Sequence, residues 1–151
     1  MAAGDAPPPV TVSPEAFLQL GRAVLARQPF SVLIGAELAA LSPGQCELHV
    51  PITEQLLQQH GFVHGGVLSY AADNALTYAG GTALRVPVVT SEFKINYVRP
   101  AQGERLIARA QAVHTSRSQA VCRCDVFVLK DGEEKLCAVA QGTIATLSGK
   151  P

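Results

Sequence analysis

The chain of 151 residues has no tryptophan, a single methionine and only 5% aromatic residues. Any core must therefore be built from Val, Leu, Ile and Ala rather than from large rings. Charge is scarce as well: 16% of residues are charged, split evenly into 12 basic and 12 acidic side chains, for a formal net charge of zero. Without a basic surplus, nucleic acid is a poor candidate partner. Low charge at neutrality also leaves little repulsion between copies, which points to a surface covered by another subunit. No apolar run is long and uninterrupted enough to span a bilayer, so no membrane association is expected. Residues 1–9 are rich in Ala, Pro and Gly, without the basic-then-apolar order of a secretory signal. Residues 1–12 are read as a disordered leader ahead of a single domain over 13–151, in a cytoplasmic protein.

Apolar residues make up 48% of the chain, enough to bury a core. Cys46, Cys122, Cys124 and Cys137 all lie in apolar or alternating stretches and read as buried, reduced thiols. Cys122 and Cys124 are separated by one residue, and no Cys/His pair completes a four-ligand set, so no metal is expected.

Ser13, Pro14 and Glu15 have the order of an N-cap, first position and acidic first turn, predicting a helix that ends near Arg27, ahead of Pro29. From Val32 the apolar period changes to two through Ile34, Ala36 and Leu38, predicting a strand. A turn at Ser42-Pro43-Gly44-Gln45 then leads to a second strand from Cys46 to Ile52. After a polar connection over 53–63, a helix is predicted from His64 to Tyr78, closed by Gly80-Gly81. Four alternating runs follow, around 93–97, 106–112, 120–128 and 136–147. The fold class is α+β, one antiparallel sheet with helix on one face. Ala71, Ala72, Ala75 and Ala79 would let that sheet approach the second helix closely and make it the centre of the molecule.

Residues 55–84 hold one charged side chain, Asp73. A single carboxylate in an otherwise apolar helix is costly without a partner or water. Tyr70, Asp73 and Thr77 stand at i−3, i and i+4, on one helix face. The helix opens at His64-Gly65-Gly66, where backbone N–H groups lack intrahelical partners and the dipole favours negative charge. Glycine lets a carbonyl oxygen approach them. Gly66 and Asp73 are seven residues apart, about 10 Å along the axis. One helix cannot bring both to a single small reaction centre, so the acid most simply comes from a second copy running antiparallel across a two-fold axis. His64 reads equally as a cap that holds the glycine turn, and His60 as an exposed loop histidine or a donor in the site wall. His49 and His114 carry no signal, and Ser69 lacks the nucleophile elbow of a hydrolase triad.

His64-Gly65-Gly66 followed by Asp73 on an Ala-rich helix, with the strand from Ser91 to Pro100, resembles the hotdog-fold acyl-CoA thioesterases. Within them it is most like the phenylacetate-pathway and 4-hydroxybenzoyl-CoA thioesterase group, over roughly residues 30–148. The resemblance implies a hotdog fold, with the antiparallel sheet wrapped around a central helix. It implies that the Gly66 N–H polarises the thioester carbonyl, and that Asp73 of the opposite protomer is general base or nucleophile. It further implies that Thr77 stands near that acid, that His64 and Gly65 complete the helix-opening motif, and that Thr90 contributes to the site. His60 matches a histidine of relatives reading Asn-x-His-Gly, with Gln58 in the place of the Asn.

Such chemistry needs no cofactor, coenzyme A being part of the substrate, and would run in a homodimer that assembles into a homotetramer, a dimer of dimers. Arg99, and Arg117 with its neighbour Ser118, are candidates for the CoA phosphates, against the plain reading of solvated turn arginines. Tyr70, Phe62, Leu57 and Leu84 are candidates for the acyl pocket. An enoyl-thioester hydratase or dehydratase on the same fold, and a non-catalytic acyl-CoA binding module, are the competing functions.

Overall fold

The structure, a computed structural model, describes residues 11–147. The leader expected over 1–12 lies almost wholly outside them. Helix α1 (Pro14–Ala26) starts where the sequence places it: Ser13 Oγ accepts from the Ala16 N–H at 3.2 Å, and Arg27 caps the other end. The strand expected from Val32 does not form there. Residues Pro29–Leu33 make a short helix, α2, and strand β1 begins only at Glu37 (Glu37–Ser42). Pro29 holds the φ of a first helical position, and Gly35, at φ +72°, turns the chain out of the helix. Strand β2 (Gln45–Pro51) pairs antiparallel with β1 through the expected turn, with Gly44 at φ +79°.

The long helix α3 (Gly65–Leu84) is followed by β3 (Val88–Tyr97), β4 (Arg105–Thr115), β5 (Gln119–Lys130) and β6 (Glu133–Thr146). All pairings are antiparallel, in the order β1-β2-β4-β5-β6-β3. The sheet curls around α3, which touches every strand. This is the helix-in-sheet arrangement of the hotdog resemblance. The core is small-chain aliphatic: Ala71, Ala72, Ala75, Leu76 and Ala79 of α3 are fully buried against Leu48, Val50, Leu106, Ala108, Val126 and Ile144. The four cysteines are buried and unpaired, and burial pushes the Cys122 thiol up to about 11. Among the described residues no helix is long and apolar enough to cross a membrane.

Helix α3 does not stop at Gly80-Gly81. It continues to Leu84 and ends on Arg85 in the left-handed conformation (φ 59°). Gly80 serves packing instead: a Cβ there would lie 2.6 Å from Ile144 Cβ on β6. The glycine marks the closest approach of helix and sheet.

Strand β3 is an edge strand with one irregularity. Thr90 pairs with Ile144 and Glu92 with Thr143, so Ser91 is an extra residue, a β-bulge. Regular alternation forbids residues three apart from sharing a face. The bulge absorbs the mismatch, so Thr90 and Phe93 are both half-buried on the α3 side while Ser91 and Glu92 are exposed.

Gly80→Ala is expected to destabilise the protein by about 1–3 kcal/mol through overpacking against Ile144, read as a lower urea midpoint with unchanged slope.

Candidate functional site

Asp73 is half-buried in the middle of α3. Its Oδ1 accepts from Thr90 Oγ1 at 2.6 Å, across the gap between helix and edge strand. Thr77, one turn further along α3, lies with Oγ1 2.9 Å from Thr90 Oγ1 and 2.8 Å from the Asp73 carbonyl oxygen. Because Thr90 gives its one hydroxyl proton to Asp73, the Thr77 proton is shared between Thr90 and that carbonyl. The carboxylate is thus held by Thr90 alone, which Thr77 contacts in turn, and the Ser91 bulge is what turns Thr90 toward it.

Beside Asp73 lies a cleft of about 400 Å³, lined by Arg27, Phe30, Ser31, Tyr70, Asn74 and Thr77 among others. Tyr70 therefore shares this face with Asp73 and Thr77, as the helical spacing implies. Its ring meets Phe30 edge-on at 5.2 Å between centroids. Its hydroxyl donates to Ser31 Oγ at 2.6 Å and accepts from Asn74 Nδ2 at 2.9 Å. Burial pushes that hydroxyl above its ordinary range, against the lowering effect of Ser31 and Asn74, so it stays a donor at neutral pH. Phe30, Ser31 and Asn74 were not among the residues the sequence singled out. Ser31 and Phe30 belong to α2, which apolar alternation disguises as a strand; the Pro29 start was the available signal.

The other half of the motif is at the start of α3. His64 is the N-cap, and its Nδ1 accepts the Gly66 N–H at 2.9 Å. The Gly66 donor, expected to be free, is thus engaged by the histidine two residues before it, and His64 takes the capping role. Both residues are exposed. Next to them, Tyr97 at the end of β3 donates to the Gly65 carbonyl at 3.0 Å and meets Ser69 Oγ at 2.7 Å. Gly66 and Asp73 lie on the same continuous helix, so their axial separation within one chain is the about 10 Å of seven helical residues.

A second cleft, of about 360 Å³, lies at this end, lined by Gln58, Phe62, Gly65, Leu68, Tyr97 and Arg99 among others. The Gln58 side-chain oxygen is taken by the His60 N–H, which tightens the loop, and His60 itself is exposed. Phe62 is therefore at the Gly65 end and not beside Asp73. Leu57 and Leu84 line neither cleft: Leu57 bridges to Val63 across the loop, and both pack on the core.

Arg99 and Arg117 are far apart in one chain. Arg99 follows β3 and donates to the Leu136 carbonyl at 3.2 Å. The turn with Arg117 and Ser118 is exposed and sits at the other end of β3, since the Ser118 carbonyl accepts from Thr146 N–H and Thr146 pairs with Val88. Ten residues of strand put roughly 30 Å between those ends.

Residues 60–135 match the family model described as the thioesterase superfamily. Among curated proteins, the chain is 32% identical over 111 residues to a putative esterase of Saccharolobus solfataricus, covering 73% of this chain and 72% of that one. It is 26% identical over 117 residues to the acyl-coenzyme A thioesterase PaaI of Escherichia coli, covering 77% of this chain and 81% of the relative. Among solved structures it is similar to a thioesterase family protein of Silicibacter pomeroyi, with a TM-score of 0.82 and 38% identity over 88% of this chain and 99% of that one.

Thr90→Val removes the donor to the Asp73 carboxylate and is expected to cost about 1–3 kcal/mol in denaturant unfolding at neutral pH. Deleting Ser91 restores regular alternation and is expected to turn Thr90 away from Asp73, which a crystal structure of the variant would reveal as loss of the 2.6 Å contact.

Proposed function

The chain belongs to the thioesterase superfamily, and we propose that it hydrolyses acyl-CoA thioesters at a site shared by two copies of α3. The observation that carries this reading is the lone carboxylate of residues 55–84, Asp73, held by Thr90 at 2.6 Å on the wall of a cleft. Thr90 occupies one carboxylate oxygen and leaves the other for a water molecule. Asp73 takes a proton from that water as its oxygen attacks the thioester carbonyl carbon. The tetrahedral intermediate collapses, the C–S bond breaks, and the coenzyme leaves as a thiol once its sulfur takes up the proton. A positioned base contributes about 10²–10⁴ in rate.

The developing oxyanion falls to the Gly66 N–H of the second chain. In this reading the substrate oxygen displaces or shares with His64 Nδ1, which the exposure of both residues allows. The two-chain arrangement is supported by the axial offset of Gly66 and Asp73 and by the edge of β3, ten residues long and unpaired on its outer side among the described residues. Antiparallel pairing of two β3 edges continues the sheet through both chains and sets the two α3 helices side by side in opposite directions. It also brings the Arg99 end of one chain beside the Arg117 end of the other, which keeps Arg99, Arg117 and Ser118 as candidates for the CoA phosphates. Exposed Leu20, Val24 and Leu33 on α1 and α2 leave apolar surface for assembly of dimers into a tetramer. We place the protein in the cytoplasm, where its four buried thiols would stay reduced.

Phe30 and Tyr70 make the wall beside Asp73 aromatic, which suits an aryl or arylacetyl group over a long alkyl chain. The hydratase reading needs a histidine paired with the acid, and among the described residues the side chain that meets the Asp73 carboxylate is Thr90. A module that only binds acyl-CoA has no use for the held carboxylate.

A thiol-release screen over aliphatic and aromatic CoA esters tests the assignment. Asp73→Asn is expected to lower kcat at least 10²-fold, on the scale of a lost general base, with unchanged thermal unfolding. Near-full activity in that variant overturns the reading. Chains carrying Asp73→Asn and Gly66→Val, co-expressed, are expected to regain activity that neither has alone.

A further inference from the structure

We propose that Tyr97, with Ser69 behind it, is a positioning residue that orients and strengthens the Gly66 N–H donor. In what it says about rate, this rests on the thioester-hydrolysis reading above. Tyr97 closes β3, and its ring lies flush against the helix start: a Cβ on Gly65 would stand 3.4 Å from the ring carbon that bears the hydroxyl. The hydroxyl is 3.0 Å from the Gly65 carbonyl oxygen and 2.7 Å from Ser69 Oγ. A tyrosine hydroxyl has one proton, and a carbonyl oxygen can only accept. The Tyr97 proton therefore goes to Gly65, and Ser69 donates to the Tyr97 oxygen.

The carbonyl so engaged is one half of a peptide group whose other half is the Gly66 N–H. The chain of donors runs Ser69 hydroxyl, Tyr97 hydroxyl, Gly65 carbonyl, Gly66 N–H. Each hydrogen bond draws electron density the same way and leaves the terminal N–H a better donor. With His64 Nδ1 on the N–H side, the contact on the carbonyl side also fixes the plane of a peptide between two glycines. Tyr97 is 54% exposed, so its ring supplies little core packing; the hydroxyl is the part with a defined partner. Periodicity groups Tyr97 with Phe93 and Ile95 as a core-facing side chain and hides this role.

The magnitude follows from two general scales. One oxyanion donor is worth about 10²–10³ in rate. Cooperative strengthening of about 10–30% of that free energy corresponds to a factor of about two to eight. Tyr97→Phe keeps the ring and removes the hydroxyl, and Ser69→Ala removes the second link. In the ligand-free protein, the amide ¹⁵N and ¹H shifts of Gly66 are expected to move in Tyr97→Phe and less in Ser69→Ala. The amides of Ala72 and Ala75, deeper in α3, are expected to hold still. With a hydrolysed CoA ester, Tyr97→Phe is expected to lower kcat about two- to eightfold at constant KM, and the double variant to lose no more than Tyr97→Phe alone. An unmoved Gly66 amide overturns the proposal, even if kcat falls, because that combination marks a general structural role. Unchanged kcat in Tyr97→Phe also overturns it. Should the unsubstituted protein release no thiol from any ester, the hydrolysis reading fails by itself, and the Gly66 shift still decides for or against Tyr97.

Discussion

The close approach of α3 to the sheet governs everything else in the molecule. Ala71, Ala72, Ala75 and Ala79 have no exposed surface, and at Gly80 there is not room even for a methyl group beside Ile144. With packing this tight, the helix cannot slide or rotate without opening voids, and the His64–Gly66 start and the Asp73 segment both inherit that fixity. The exposed start, capped by His64, and the half-buried acid in the middle are carried on one bar. Polar side chains around Asp73 occupy what the tight packing leaves over: the face toward α2, where Tyr70, Asn74 and Ser31 satisfy one another, and the gap to β3, where Thr90 meets Asp73 and Thr77 meets Thr90.

That division explains why charge is so rare in this stretch. An ion-pair partner on Asp73 would compete with the Thr90 donor for the carboxylate. A hydroxyl donor holds the carboxylate in place and leaves its second oxygen unused. The same economy holds at the glycine end, where the groups around Gly66 are a histidine ring nitrogen, a tyrosine hydroxyl and a serine hydroxyl.

Much of this was legible in the residues alone, because the signals were local and periodic. The small side chains of α3, the shared face of Tyr70, Asp73 and Thr77, the Ser13 cap and the hairpin at Gly44 each depend on spacing within a few positions, and each stands where spacing puts it. What escaped depends on distant partners. Gly80 resembles a helix stop until Ile144, brought in by β6, turns out to occupy the space of its Cβ. Val32 and Ile34 alternate like a strand, but Pro29 nucleates a helix and Ser31 is buried against Tyr70, a contact across 39 positions. Leu57 and Leu84 were apolar and nearby in sequence, yet they serve the core. Arg99 and Arg117 qualify by charge, and only the pairing of β3 with β6 reveals that they sit at opposite ends.

The extra residue in β3 has a further effect, on colloidal behaviour. An edge of ten residues that no described strand covers offers a long run of backbone donors and acceptors to any passing strand. The irregularity at Ser91 breaks that run into two shorter stretches out of phase with each other, so a foreign strand that fits one does not continue along the other. Uncontrolled fibrillar growth along this edge is thereby discouraged.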